Sequence, residues 1–384
     1  MLVKFVQKTY LWPRVFEKGK TYDVDITVFE ACSPCCVVVE SLEDVSVEKK
    51  YKANFSIEKR TFFPNDGYGR LNRYVKSIFE FEKDSDIYVY FTTPYIFGIM
   101  PKDILNNKKI VLYTMFEGDK LPKCWVDMMA QFCKAIIVPS TFCYKVYRKE
   151  KKLKDIPIYV VPLFTEKFEN LKPEPAEDIF YFGMENAFIE GKQKGWDIVI
   201  EAFEKLNFPN AKLLLKGRLA HYAYVEKEWI ERAKKNPNIE VVIEDYNDQQ
   251  MIDLFYKKID CFVYPSRGEG FGLPPLQAMG FGIPTIVTNG HGMKDFARYG
   301  VPIRVKSRDY PVYYVNRIDD NTQGIMWVKP NFSDLIFQMT NVYNNFNYHK
   351  HRAVANMLKL KNRFSLEAFV KNLVDVIDQY KLSL

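Results

Sequence analysis

Short apolar runs that alternate with helical patterns limit most sharply the architectures open to this chain. Ile87–Phe91, Ile110–Tyr113, Ala135–Val138 and Ile158–Val161 are four or five residues long. They lack the polar–apolar alternation of a half-exposed strand, which is how strands buried on both faces of a parallel sheet read. Between such runs lie patterns such as Leu71, Val75, Ile78 and Phe79, spaced for one face of a helix. A second series follows at Ile179–Phe182, Lys212–Lys216, Ile239–Ile243, Cys261–Tyr264, Pro284–Thr288 and Val301–Val305, with a helix near Asp197 expected to bury Ile198, Ala202 and Leu206. Strands joined by crossover helices build doubly wound α/β layers.

Glu169–Glu177 is charged, proline-bearing and nearly free of apolar residues, and so reads as a linker. The expected organisation is two Rossmann-like domains, residues 61–170 and 177–350, facing each other across a cleft. The last segment, 365–384, has Ser365 as N-cap and Leu366, Phe369, Val370, Leu373, Ile377 and Tyr380 at helical spacing, and is expected to complete the first domain. Residues 1–60 read as a β-rich appendage, with Val3–Val6, Tyr22–Phe29 and Val37–Val39 as its strands.

Composition narrows the function classes. At 384 residues and 47% hydrophobic, the chain is long and apolar enough for two full cores, which excludes a disordered protein. No apolar run reaches the ~18 residues of a membrane span, and Lys8, Arg14 and Lys18 interrupt the start where a signal sequence would be apolar. The expectation is a soluble, cytoplasmic protein. Net charge is +7, with Lys and Arg interspersed among 48 acidic residues, which argues against a nucleic-acid face. The exception is the run Lys145, Arg148, Lys149, Lys151, Lys152 and Lys154. It reads either as a solvated helix end or as a site of attraction to an anionic acceptor or a lipid surface, the latter a peripheral membrane contact. Cys32, Cys35 and Cys36 cluster, but no second cysteine pair stands at zinc-ligand spacing, so no zinc site is expected.

The most informative stretch runs from Val263 to Met279, VYPSRGEGFGLPPLQAM. A buried strand ends at Tyr264, a glycine-rich turn follows, and a helix opens with two prolines, which its first turn tolerates. Pro274 and Pro275 have no N–H, so any anion must be met by the amides of Phe271, Gly272 and Leu273. Glu269 stands at the lip of this cradle, able to accept from sugar hydroxyls.

PSRGEGFGLPPLQAM, followed by GIPTIVTNGHGMKDF, resembles the donor-site signature of the family-4 retaining glycosyltransferases of the GT-B fold. Phe182-Gly183 with Lys194-Gly195-Trp196-Asp197 is similar to that family's second phosphate-binding element, and Gly67-Tyr68-Gly69-Arg70 to the glycine loop of its first domain. Tyr113-Thr114 with Glu117 and Leu121-Pro122, then Val138-Pro139-Ser140, resemble further landmarks, so the likeness runs from about residue 60 to 380. It implies that Glu269 lies by the donor sugar and its phosphate and that Lys194 neutralises the leaving diphosphate. Gln277 stands where the family usually has a ribose-binding acid, and Met184 where it often has an arginine, for which Lys192 or Arg218 would have to compensate. Gly67 and Gly69, whose amides would face either the leaving phosphate or the acceptor, Tyr246 and His291 are further donor-side candidates. Glu117 is an acceptor-side candidate, and an exposed loop position is the alternative for His291.

The resemblance implies transfer of a sugar from a nucleotide-diphosphate donor to a glycan, lipid or protein acceptor, with retention and without a metal or other cofactor. Asp84-Ser85-Asp86 has the letters of a metal-binding motif but reads as a polar turn before a strand. A nucleotide-sugar epimerase of the same fold is an alternative, and so is a non-catalytic nucleotide- or glycan-binding relative, which Gln277 and Met184 would suit.

Overall fold

A computed structural model describes residues 2–5, 9–11, 14–16, 21–23, 36–38, 51–53, 55–57, 67–81, 85–98, 105, 108–171, 179–188, 192–219, 227–311 and 324–382. Near the start, Leu2–Phe5 pairs antiparallel with both Thr21–Asp23 and Cys36–Val38, and Thr9–Leu11 pairs with Arg14–Phe16.

The first parallel sheet has the order Ile158–Val160, Cys133–Val138, Lys109–Tyr113, Ile87–Phe91, Ser56–Ile57. It thus takes in residues ahead of the boundary expected at 61. Along Lys109–Tyr113 the side chains divide by face: Val111 and Tyr113 join one apolar cluster, Ile110 and Leu112 the other. That is the period of two that a pleated strand imposes. Helix Gly67–Ile78 buries Leu71 and Val75, and Phe79 already belongs to the strand Phe79–Phe81.

The second sheet is wholly parallel, in the order Ile239–Ile243, Ala211–Leu219, Phe180–Phe188, Cys261–Tyr264, Thr285–Thr288, Val301–Ile303. Numbered along the chain this is 3-2-1-4-5-6, the Rossmann order, and it reverses direction between Phe180–Phe188 and Cys261–Tyr264. The carboxyl ends of those two strands frame the crevice where ligands bind in such sheets. The fold is α/β with two Rossmann-like domains.

Helix Trp196–Leu206 is turned differently from expectation. It buries Trp196, Asp197, Val199, Ile200, Ala202 and Phe203, while Ile198 and Leu206 are only partly covered. The deviation follows from Asp197, a charged residue drawn inward by a buried partner described below. Helix Leu366–Leu382 keeps its expected face: Ser365 Oγ accepts from Ala368 N at 3.3 Å, and Phe369 packs on Tyr113 and Phe164. The chain's last helix therefore covers the first sheet.

An antiparallel ribbon, Val305–Pro311 with Met326–Pro330, was not anticipated from the sequence. It leaves the second domain and carries Ile325 and Trp327 into the first domain's cluster of Ile110, Leu112, Phe116 and Trp125. Asp119 fastens it by accepting from Met326 N at 2.8 Å.

Candidate functional site

The turn after Cys261–Tyr264 is held from several sides. Gly272 has φ +99°, a left-handed conformation open to glycine at little cost, and it caps helix Leu273–Gly280 with prolines in the first turn. Among the described residues, the amides of Phe271, Gly272 and Leu273 donate to no acceptor. Gly292 packs so closely on this turn that a Cβ there would collide with the Gly270 carbonyl, and its own N–H donates to Glu269 O at 3.0 Å.

Glu269 and Lys194, far apart in sequence, meet here. Lys194 Nζ lies 2.7 Å from Glu269 Oε1, with both side chains about nine-tenths buried. The same oxygen accepts from Tyr264 Oη at 2.8 Å and lies 2.9 Å from Ser266 Oγ. Burial and then the Glu269 carboxylate push the Tyr264 phenol well above its ordinary range, so it remains a donor. Three groups thus fix Oε1. Among the described residues Oε2 has no such partner and is the oxygen that can accept from a sugar hydroxyl.

A second buried pair ties the Lys194 loop to the Glu269 turn. Arg267 makes a two-pronged contact with Asp197, Nη1 to Oδ1 at 2.8 Å and Nη2 to Oδ2 at 2.7 Å. Its backbone N–H donates to Gln193 O at 2.7 Å, and Gln193 Nε2 donates to Gly268 O at 2.7 Å. The ribbon joins this knot, because Val328 N donates to Arg267 O and the Trp327 indole lies against Gly268.

The first domain closes on the same turn. Ser140, N-cap of helix Thr141–Arg148, donates to Gly270 O at 2.7 Å, and Met115 packs on Gly270. Tyr68, between Gly67 and Gly69, accepts from Met115 N at 2.8 Å. Gly67 opens helix Gly67–Ile78, so the first-domain glycine loop reaches the donor turn through Tyr68 and Met115. Thr141 N donates to Asp295 Oδ2 at 2.8 Å, which sets a second-domain carboxylate on a first-domain helix N-terminus.

His291 is not an exposed loop residue. It is 5% exposed, has φ 50°, and stacks on Phe142 of the first domain with centroids 4.3 Å apart. The backbone of Glu117 offers it a hydrogen bond, which brings these two candidates together, while buried Nδ1 has no partner among the described residues. Burial pulls the imidazole from 6.5 down to about 4. Between those values an unfolded chain takes up a proton that the folded chain refuses. Stability is therefore full above about 6.5 and falls, by up to about 3 kcal/mol, as pH drops through about 4. Urea unfolding of wild type and His291→Phe across this range checks the sign: the acid slope should flatten in the variant, and an unchanged slope would assign it elsewhere.

The remaining candidates fall as follows. Gln277 is half-exposed on helix Leu273–Gly280. Met184 is fully buried in strand Phe180–Phe188 and cannot meet a phosphate. Lys192 places its ammonium 5.6 Å above the Trp229 ring. Arg218 is on strand Ala211–Leu219, and its side chain lies outside the described residues, as does Asp84. Ser85 accepts from Ile87 N at 3.2 Å, as a turn residue does. Sequence reading passed over Lys216, which is buried near the crevice end of its strand. Its ammonium donates to Glu244 O at 2.6 Å and sits 4.6 Å from the Tyr246 ring centre, so Tyr246 covers a cation. Cys32, Cys35 and Cys36 have no described side chains, and among the described residues no group of acids, histidines and cysteines is arranged to hold a metal. No described helix is long and apolar enough to cross a membrane.

Residues 166–308 match the family described as Glycosyl transferases group 1. An uncharacterized glycosyltransferase, 335, of Sulfolobus islandicus rod-shaped virus 1 is 26% identical over 243 residues, which is 61% of this chain and 68% of that protein. Among solved structures, a glycosyltransferase from Rickettsia africae ESF-5 superposes with TM-score 0.56 at 14% identity, covering 82% of each chain. Sucrose-phosphate synthase from Thermosynechococcus elongatus gives 0.59 at 13% identity, over 83% of this chain and 78% of that one. Anabaena Alr3699/HepE, solved in complex with UDP and glucose, gives 0.58 at 12%, over 81% and 80%. At such identities the structures speak for the fold, which is GT-B, and together with the sequence matches they support a glycosyltransferase.

Proposed function

We propose that the protein transfers a sugar from a nucleoside-diphosphate donor to a hydroxyl-bearing acceptor, with retention at the anomeric carbon and without a metal. One observation carries this reading: the Lys194–Glu269 pair and the free amides of Phe271, Gly272 and Leu273 converge at the point where the second sheet reverses direction. The chemical difficulty is negative charge growing on the leaving diphosphate as the anomeric carbon becomes oxocarbenium-like. Preorganised amides, a helix N-terminus and an ammonium are arranged to meet that charge as it forms. Lys194 has three donors and spends one on Glu269, which leaves two for phosphate oxygens. Glu269 Oε2 would hold a sugar hydroxyl, and the acceptor would enter from the side of Glu117 and the Gly67–Gly69 loop.

The test is nucleoside-diphosphate release from a panel of UDP-, GDP- and ADP-sugars, with thermal shifts against the free diphosphates. A bound diphosphate raises the unfolding temperature. Saturable binding with no cleavage in the presence of any acceptor would turn the assignment to a binding protein. Conversion of one nucleotide sugar into another would turn it to an epimerase.

Gln277 has one accepting oxygen where a carboxylate would take both ribose hydroxyls. Gln277→Glu is therefore expected to hold or tighten diphosphate affinity by a few-fold. Calorimetric titration measures this, and a ten-fold loss would mean that the amide N–H makes a contact of its own.

A further inference from the structure

We propose that the first domain docks on an anionic lipid surface through the exposed side of helix Thr141–Arg148 and the short turn that follows it. The helix is amphipathic: Cys143, Val146 and Tyr147 are buried, while Thr141, Tyr144, Lys145 and Arg148 form the outward stripe. Beyond it, Lys149, Lys151, Lys152 and Lys154 are all exposed, with Leu153 alone turned inward. Against these six cations the segment offers two acids, Glu150 and Asp155. Lys152 is paired with Asp127 and Lys154 lies 3.8 Å from Asp155, but Lys145, Lys149 and Lys151 make no ion pair among the described residues.

A helix C-terminus accounts for one or two such cations. Six within ten residues, half of them unpaired and flanked by the exposed Tyr144 ring, form a cationic face with an aromatic at its edge, the composition that suits a headgroup layer. A nucleic-acid groove is a poorer fit, because the cations lie on one convex helix end rather than along a track. The helix begins at the cleft rim, where Ser140 and Thr141 bond Gly270 and Asp295, so the rim stands about 12 Å from the cationic end at ~1.5 Å per residue.

The experiment is co-sedimentation of the full chain with phosphatidylcholine vesicles, alone or with about a third phosphatidylglycerol. Binding is expected to the anionic vesicles alone, to weaken strongly between about 0.1 M and about 0.5 M salt, and to fall roughly 100-fold in Lys145→Ala/Lys149→Ala/Lys151→Ala. All three positions are exposed, and an unchanged circular dichroism spectrum and melting temperature verify that the variant folds. Equal binding to neutral vesicles, undiminished binding by the triple variant, or retention on duplex RNA with none on anionic vesicles would each overturn the proposal. The docking does not rest on the transfer reading: sedimentation needs no turnover, and the triple variant should still cleave a soluble donor at the wild-type rate.

Discussion

Replacing Glu269 with alanine is expected to lower nucleoside-diphosphate release on the order of 100-fold or more, the scale felt when one preorganised polar group is removed from a charge-stabilising site. Two losses combine. The donor sugar loses the acceptor oxygen Oε2, and Lys194, whose side chain is 12% exposed, loses the carboxylate that aims it. Glu269→Gln should lose nearly as much as alanine, because its single amide oxygen is held by Tyr264 and Ser266, an NH2 replaces Oε2, and the charge beside Lys194 disappears. Lys194→Ala should weaken donor binding and lower kcat as well, because the ammonium faces charge present on the bound diphosphate and charge that grows in the transition state. Steady-state kinetics with an established donor decide the matter, and alanine variants at both positions within a few-fold of wild type would remove the pair from the reaction.

The second large effect is on stability. Asp197→Ala should cost about 3–5 kcal/mol, because it strands the Arg267 guanidinium, 5% exposed, without its carboxylate. Joint replacement, Asp197→Leu with Arg267→Met, should recover much of that loss, since the cost of a broken buried pair is mainly the charge left behind. Urea unfolding of the wild type and these two variants supplies the comparison. A single-variant loss below about 1 kcal/mol would show that water reaches the pair. Activity should fall in the single variant as well, because Arg267 also holds the Lys192–Gln193 backbone beneath Lys194.

What was legible in the sequence and what was not divide along a physical line. Strands such as Ile87–Phe91 and Cys261–Tyr264 announce themselves because burial on both faces excludes polar residues over their whole length. The turn at Gly270–Leu273 was equally readable, since glycine followed by two prolines leaves few backbone conformations open. Partnership is another matter. An acid in a helix's first turn, as Asp197 is, is ordinarily solvated, and only its contact with Arg267, seventy residues away, turns it inward and rotates the buried face of its helix. His291, between two glycines, had the local signature of an exposed loop, and Phe142 from the other domain covers it. Lys216 read as one more strand lysine until Glu244 and Tyr246 enclosed it. Periodicity tells which side of an element is covered, and leaves open what covers it.

The loan of Ile325 and Trp327 to the first domain's apolar cluster, together with the Leu366–Leu382 helix over Tyr113, bears on how the molecule can be taken apart. A fragment ending at the linker would lack two pieces of its own interior. The remainder would display an indole with nowhere dry to go. Severed halves should therefore be insoluble when produced singly, and should regain solubility only when made side by side.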